Sequence, residues 1–354
     1  MTIVKISTEV KLIALKTPFV TALRRVENIE YVRVTVLCND SKIGMGEAPA
    51  TMAITGEDIE IILESLHKIK DDLLGKSISQ ALGLLHSSST IGFSAKAALD
   101  MAFVSLLSKE KDITLYKYFL KGKEPDEKLK ILYTDVTISL NSKDKMLQDS
   151  RSALEDNMWI LKIKLGEDIE HAIDVTKSIS KELKEAKLLI DANQAWDLDS
   201  TLYYIDSIKD LDIELIEQPV IASDIKSLKK ITQKSKINIM ADESVFTLED
   251  AREVIESGSA DMINIKLMKC GGVSKAIEIL EYAREKRIKC MLGSMLEGPI
   301  SINVALHLAI AYMDVIEYVD LDSPLLYKEQ SSELDFEFKG CEIFLSKHHY
   351  DFLK

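Results

Sequence analysis

Five ionisable residues recur along this 354-residue chain at a nearly constant interval: Lys164, Asp191, Glu217, Asp242 and Lys266, in steps of 27, 26, 25 and 24 residues. Each stands at the end of an apolar run of strand length, at 159–165, 187–192, 213–217, 237–242 and 261–267, and amphipathic segments separate the runs. One strand and one helix fit the interval. Repeated strand-helix units build a parallel sheet, and when that sheet closes into a barrel the C-terminal strand ends surround one mouth. Taken singly, each carboxylate reads as readily as a turn or helix cap. Three in phase do not. Asp191, Glu217 and Asp242 would stand together at that mouth, where like charges need a cation, and an all-oxygen set favours Mg²⁺ over zinc.

Lys164 and Lys266 fall on the second and sixth strands, half a barrel apart, so they would approach a bound ligand from opposite faces. That arrangement suits removal of a proton on one side and its return on the other, at a carbon acidified by a carboxylate chelated to the metal. A lysine base needs a depressed pKa, and Lys162, two residues along the same strand face, would push Lys164 in that direction.

The elements that must position these groups can be read in order. Strand patterns at 3–14, 31–37 and 42–46 form a small antiparallel sheet, and two loops, 17–25 and 48–55, are candidate lids. Helical patterns follow at 57–70, 79–85, 92–108 and 114–120, which makes 1–125 an α+β domain. The barrel then occupies 126–329, with its remaining strands at 131–140, 288–293 and 315–320. A strand pattern at 335–345 lies beyond the eighth unit, so 330–354 is expected to return to the first domain's sheet.

Composition limits the partners. A formal net charge of −13 argues against nucleic acid or an anionic membrane as a general partner. The four cysteines show no CxxC spacing and read as reduced core thiols, there is no signal-peptide pattern, and a cytoplasmic protein is expected. After the eighth strand, Asp320-Leu321-Asp322-Ser323-Pro324 places two carboxylates outside the metal set, suited to a ligand ammonium or to an Asp-rich turn. Arg24 and Arg25 in the first lid loop could meet a ligand carboxylate. Glu297 receives no catalytic role, Gly271-Gly272 reads as helix-start geometry, and Trp159 and Trp196 read as packing residues.

At these residues the sequence resembles the enolase superfamily, in its muconate lactonizing enzyme subgroup. The resemblance rests on Lys162-x-Lys164, Asp191-x-Asn193, Glu217-Gln218-Pro219, Asp242-Glu243-Ser244 and Lys266 with Gly271-Gly272. It implies a (β/α)₇β barrel of TIM type under an N-terminal α+β capping domain, with Mg²⁺ as cofactor. Within the subgroup, Asp320-x-Asp322 is similar to the feature by which dipeptide epimerases hold the substrate's α-ammonium. On that likeness Lys162 would help bind the substrate carboxylate, and Thr137 and Ser294 would line the site. The segment 21–24 is similar to the loop of epimerases that act on L-Ala-D/L-Glu, with Arg24 meeting the glutamate side chain. The implied reaction is a 1,1-proton transfer at the α-carbon of a dipeptide's C-terminal residue, as in recycling of cell-wall peptide, by an enzyme compatible with a homo-oligomer. Alternatives with the same lysines are o-succinylbenzoate synthase and muconate cycloisomerase, neither of which needs an ammonium site. A non-enzyme alternative is a silent barrel used for binding, which predicts a missing ligand or base.

Overall fold

Alternation along the barrel strands decides which side chains face inward, and the sequence segregates them by depth. In the computed structural model, which describes residues 1–122 and 131–345, the N-terminal unit is a three-stranded antiparallel sheet of β1 (Ile3–Val20), β2 (Arg25–Cys38) and β3 (Ile43–Pro49). Helices α1 (Met52–Thr55), α2 (Ile59–Leu73), α3 (Ile78–Ser87), α4 (Phe93–Glu110) and α5 (Leu115–Leu120) follow. Val32, Val34 and Val36 of β2 are fully buried and share one core with Ala98, Leu99 and Phe103 of α4. Asp58 starts α2 by accepting from the Ile61 amide, and Ser77 with Gln80 closes a capping box on α3.

After a short β4 (Ile131–Tyr133), the chain runs through the barrel: β5 (Val136–Ile138), α6 (Lys143–Glu155), β6 (Ile160–Lys164), α7 (Ile169–Glu182), β7 (Lys187–Asp191), α8 (Leu198–Ile208), β8 (Leu215–Glu217) and α9 (Ile225–Lys234). It continues with β9 (Asn238–Ala241), α10 (Leu248–Ser257), β10 (Met262–Lys266), α11 (Leu267–Cys270), α12 (Val273–Lys286), β11 (Lys289–Gly293), α13 (Pro299–Ala311), β12 (Ile316–Asp320) and α14 (Ser323–Leu326). Strands β5 to β12 are parallel neighbours in sequence order, and a bridge between Thr134 and Val319 joins the first to the last. This is the (β/α)₇β barrel with its capping domain. The inward positions Ile160, Leu189, Leu215, Met240, Met262 and Met291 pack together as an apolar plug at the N-terminal end of the strands. Two residues further along, the same inward columns carry Lys162, Asp191, Glu217, Asp242 and Asn264. The outward positions Leu161, Ile163, Ile190, Ile216, Ile239 and Ile265 join the larger core that includes the surrounding helices.

Three expectations are revised. The single first strand expected at 131–140 divides at Thr134 and Asp135: the Thr134 amide donates to Cys341 O and the Asp135 amide to Val319 O, so the chain changes sheets there. The lid loop 17–25 is largely the end of a β-ribbon, with Phe19 paired to Val26 and Val20 to Arg25. Pro18 is tolerated because it lies on an edge strand within a register shift between Ala14 and Phe19. Among the described residues, the chain end does not join the β1–β3 sheet. Strands β13 (Phe336–Lys339) and β14 (Glu342–Leu345) pair with β4, and the segment before them touches β1 through a bridge between Leu15 and Tyr327, the Lys328 amide bond to Ala14 O and a bond from Lys16 Nζ to Leu325 O. Residues 346–354 lie outside the described residues.

Two carboxylates of the N-terminal unit cap barrel helices. Glu47 on β3 accepts from the amides of Ile300 and Ser301 at 2.9 and 3.1 Å, at the start of α13, and is held by Arg33 at 2.6 Å. Arg33 also pairs with Glu333 at 2.6 Å. Asp100 on α4 accepts from the Ser274 amide at 3.0 Å at the start of α12. Negative charge at a helix N-terminus meets both unpaired N–H groups and the helix dipole. The close approach requires glycine: a Cβ on Gly298 would lie 2.5 Å from Glu47 Oε2, and one on Gly272 2.5 Å from the Asp100 Cβ.

Glu47→Ala should therefore destabilise the protein by about 3–5 kcal/mol, the loss expected when one partner of a buried ion pair is removed. Glu47→Gln, which keeps an acceptor for the helix, should lose less. Urea unfolding checks both, and equal stability of Glu47→Ala and the parent would show that the clamp contributes nothing.

Candidate active site at the barrel mouth

Strand register sets the site. Lys164 on β6 lies beside Asp191 on β7, and Asp191 beside Glu217 on β8. Asp242 follows directly after β9, and Lys266 closes β10 opposite Gly293 of β11, which in turn faces Asp320 of β12. A Cβ on Gly293 would come within 3.0 Å of Lys266 Cε, so this glycine leaves the lysine room to lie across the strand end.

A cleft open to solvent occupies the mouth. Lys164 and Lys266 line it from opposite sides of the barrel, together with Asp242, Thr137, Ser294, Asp320 and Asp322. The N-terminal unit supplies Phe19, Arg24 and Ile54. Eight of the eleven residues singled out from the sequence as site residues thus meet at one surface. Asp191, Glu217 and Lys162 lie beneath it, each with no exposed surface.

Ion pairs tie the layers together. Lys164 Nζ lies 2.5 Å from Asp191, and Lys266 Nζ lies 2.6 Å from Asp242. Lys162 Nζ sits 2.7 Å from both Glu217 and Asp320, and 3.4 Å from Asp191. Its ammonium is surrounded by these carboxylates and does not line the cavity.

The electrostatics follow from burial and neighbours. Burial opposes charge on Lys162, but Asp320, Glu217 and Asp191 outweigh it and raise its pKa well above the usual lysine value. Burial likewise opposes charge on Lys266, and Asp242 outweighs it, so its pKa is also raised. Asp242 is held below the ordinary carboxylate range against burial by Lys266 and Lys269. Glu217, buried beside Asp191, is pushed up to about 7, and Glu243, buried beside Asp242, to about 8. Burial lowers Arg24 to about 10.

The donor set fits a hard divalent cation. Asp191, Glu217 and Asp242 come from three successive strand ends, are at most 1 % exposed and include no sulfur or imidazole. The ammonium groups of Lys162, Lys164, Lys266 and Lys269 stand against them, where positive charge is required. Among the described residues, the three acidic side chains whose oxygens all approach within 4.8 Å are instead Asp135, Asp320 and Asp322.

Several site residues escape sequence reading. Lys269, buried on α11, lies 2.5 Å from Asp242 and donates to Asn264 O at 2.9 Å. Asn264 donates to Glu217 at 2.8 Å, and Gln218 accepts from the Asp242 amide at 2.9 Å. Asp135 is buried with both carboxylate oxygens unpartnered. Its signal was available, since it shares strand parity with Thr137. Glu297 serves structure, accepting from the Met295 amide and the Ser301 hydroxyl at the start of α13. Trp196 donates to Gly166 O at 2.8 Å within the core, and the four cysteines are free and buried.

Known proteins place this arrangement. Residues 3–119 match the mandelate racemase/muconate lactonizing enzyme N-terminal domain, and residues 145–347 match the enolase C-terminal domain-like family. The L-amino acid-D/L-Glu epimerase of Sulfurimonas denitrificans is 59 % identical over 343 residues, covering 97 % of this chain and 99 % of the relative. A substrate-liganded complex of the L-Ala-D/L-Glu epimerase from Bacillus subtilis superposes with a TM-score of 0.90 at 37 % identity, covering 98 % of this chain and 97 % of that one. The dipeptide epimerase from Enterococcus faecalis V583, complexed with Mg and the dipeptide L-Leu-L-Tyr, also gives a TM-score of 0.90, at 31 % identity with 98 % of each chain covered. Both halves of the molecule therefore carry the same family signature, and the chain belongs to the enolase superfamily, in its mandelate racemase and muconate lactonizing enzyme branch.

Proposed function

We propose that this protein is a Mg²⁺-dependent dipeptide epimerase, an isomerase that inverts the α-carbon of the C-terminal residue, with L-Ala-D/L-Glu as its main substrate. The observation that carries this reading is the pairing, in one cavity, of two lysines on opposite walls with the acidic residues Asp320 and Asp322. The first pair suits proton transfer on both faces of one carbon, and the second suits a ligand that presents an ammonium group. The named activities of the relatives support it. The same reading assigns 1–125 to the cap and 126–329 to the barrel. Buried free thiols, and the absence among the described residues of any helix long and apolar enough to span a membrane, are consistent with a cytoplasmic location.

In this mechanism Asp191, Glu217 and Asp242 hold Mg²⁺, which when bound supplies positive charge that acidifies the α-proton beside the substrate carboxylate. Lys164 removes the proton from one face and Lys266 returns one to the other, and their roles exchange in the reverse direction. Each lysine lies beside a carboxylate that orients it, Asp191 and Asp242 respectively. Lys162 offsets the charge beneath Asp320 and Glu217. Asp320 and Asp322 receive the α-ammonium, Thr137 and Ser294 line the backbone path, and Arg24 meets the glutamate side chain from the cap. Arg24 is well placed for selectivity, because a guanidinium removed from bulk water gains more from a carboxylate partner than an exposed one does.

Lys164→Ala and Lys266→Ala should each abolish epimerisation while retaining exchange of the α-proton of one epimer only, read by proton NMR in deuterated water. Exchange of both epimers in either variant would defeat the two-base scheme. Chelation of the metal should stop turnover, with recovery on addition of Mg²⁺; unchanged turnover after exhaustive chelation would remove the metal from the reading. Arg24→Met should raise KM for L-Ala-L-Glu about tenfold, the scale of one charge-assisted contact, and change KM for L-Ala-L-Leu far less. Equal effects on the two substrates would remove Arg24 from side-chain selection.

A further inference from the structure

Lys269 is a buried cation that the proton transfers do not use. It stands on α11, the single helical turn by which the chain leaves β10, and is 1 % exposed, whereas Lys266 lines the cavity. Pairing between β9 and β10 stops at Ala241 and Ile263, while β10 stays paired with β11 as far as Lys266 and Gly293. Asp242 and Asn264 follow directly where the β9–β10 ladder has stopped. The Lys269 ammonium bridges them, donating to Asp242 O and, at 2.9 Å, to Asn264 O. A side chain thus ties two strand ends that backbone pairing no longer joins.

The same nitrogen reaches the carboxylates. It lies 2.5 Å from Asp242 Oδ1, while Asp242 Oδ2 accepts from Lys266 at 2.6 Å, and Asn264 passes the brace on by donating to Glu217 at 2.8 Å. Two of the three carboxylates assigned to the metal are therefore steadied from one point. Burial lowers the pKa of Lys269 and Asp242 opposes that shift; the Phe246 ring, 5.7 Å away, adds a second surface that favours the charged form. Lys162, Lys164 and Lys266 are paired to carboxylate side chains, which can regroup around a metal ion. Lys269 is also bonded to the main chain. We infer that Lys269 is a positioning residue, a built-in counter-ion that keeps Asp242 and the ends of β9 and β10 in place without metal and, by its repulsion, weakens metal binding. This rests on the reading that Asp191, Glu217 and Asp242 hold Mg²⁺.

Lys269→Met keeps the length of the side chain and removes its charge. Urea unfolding with and without saturating Mg²⁺, together with calorimetric titration of the metal, tests the inference. The metal-free variant should be less stable than the metal-free wild type, and Mg²⁺ should stabilise the variant more than it does the wild type. Its Kd for Mg²⁺ should fall about tenfold or more, because a unit charge close to the metal ligands is gone. A variant that folds only with Mg²⁺ would be the same result in stronger form. Equal losses of stability with and without metal, at an unchanged Kd, would reduce Lys269 to a packing residue and overturn the inference, and so would a raised Kd. Those outcomes leave the metal reading standing, whereas a wild type that neither binds Mg²⁺ nor is stabilised by it would bring down both. If Lys269→Met folds in neither state, hydrogen exchange on the wild type decides. The amides of Gly271 and Gly272, which bond to Leu267 O, should keep their protection after chelation, and a marked loss of protection would overturn the inference.

Discussion

Carboxylate groups outnumber ammonium groups at the barrel mouth, and they do so where water is scarce. Asp135, Asp191, Glu217, Asp242, Glu243, Asp320 and Asp322 face Lys162, Lys164, Lys266 and Lys269, and all are at most 7 % exposed. Buried charges of one sign raise each other's cost, and the folded chain offsets it only in part through its own lysines. Much of the architecture serves to hold this unbalanced set in place. An apolar plug closes the strands below, apolar outward positions bind the helices, and the cap restricts solvent from above. Carboxyl groups buried and crowded this closely resist ionisation until a cation joins them, Glu217 rising to about 7 and Glu243 to about 8, and the proposed reaction brings two kinds of cation, a divalent metal and an organic ammonium.

The regular chemistry was legible because it follows the regular structure. Lys164, Asp191, Glu217, Asp242 and Lys266 each occupy the same place in successive strand-helix units, so chain spacing alone aligned them. Asp320 and Asp322 were legible by composition, as two carboxylates flanking one leucine before a proline. Arg24 was legible as a candidate through its position between two strand patterns.

What remained hidden lies where the chain leaves that rhythm. Lys269 sits on a four-residue helix inserted after β10, and only the turn of that helix carries its ammonium back to Asp242. Asp135 lies at a change of sheet, where one continuous apolar pattern had implied one strand; periodicity records which residues alternate, not which partner strand they join. The destination of the chain end was misread for the same reason, since β13 and β14 carry a strand pattern that fits either sheet and long-range pairing with β4 decides between them.

The carboxylate clamps of Glu47 and Asp100 divide the cap into a fixed base and a variable tip. The base is anchored to the helices of the barrel's sixth and seventh units, whereas the ribbon end that carries Phe19 and Arg24 is held by its own hairpin and by isolated contacts such as the Leu140 amide to Val20 O. Changes in the tip can alter what the cavity admits without disturbing the register that aligns lysines and carboxylates. In evolutionary terms the recognition of side chains is separable from the proton chemistry, and new specificities can arise by drift in a few ribbon residues while the reaction centre stays under undiminished constraint.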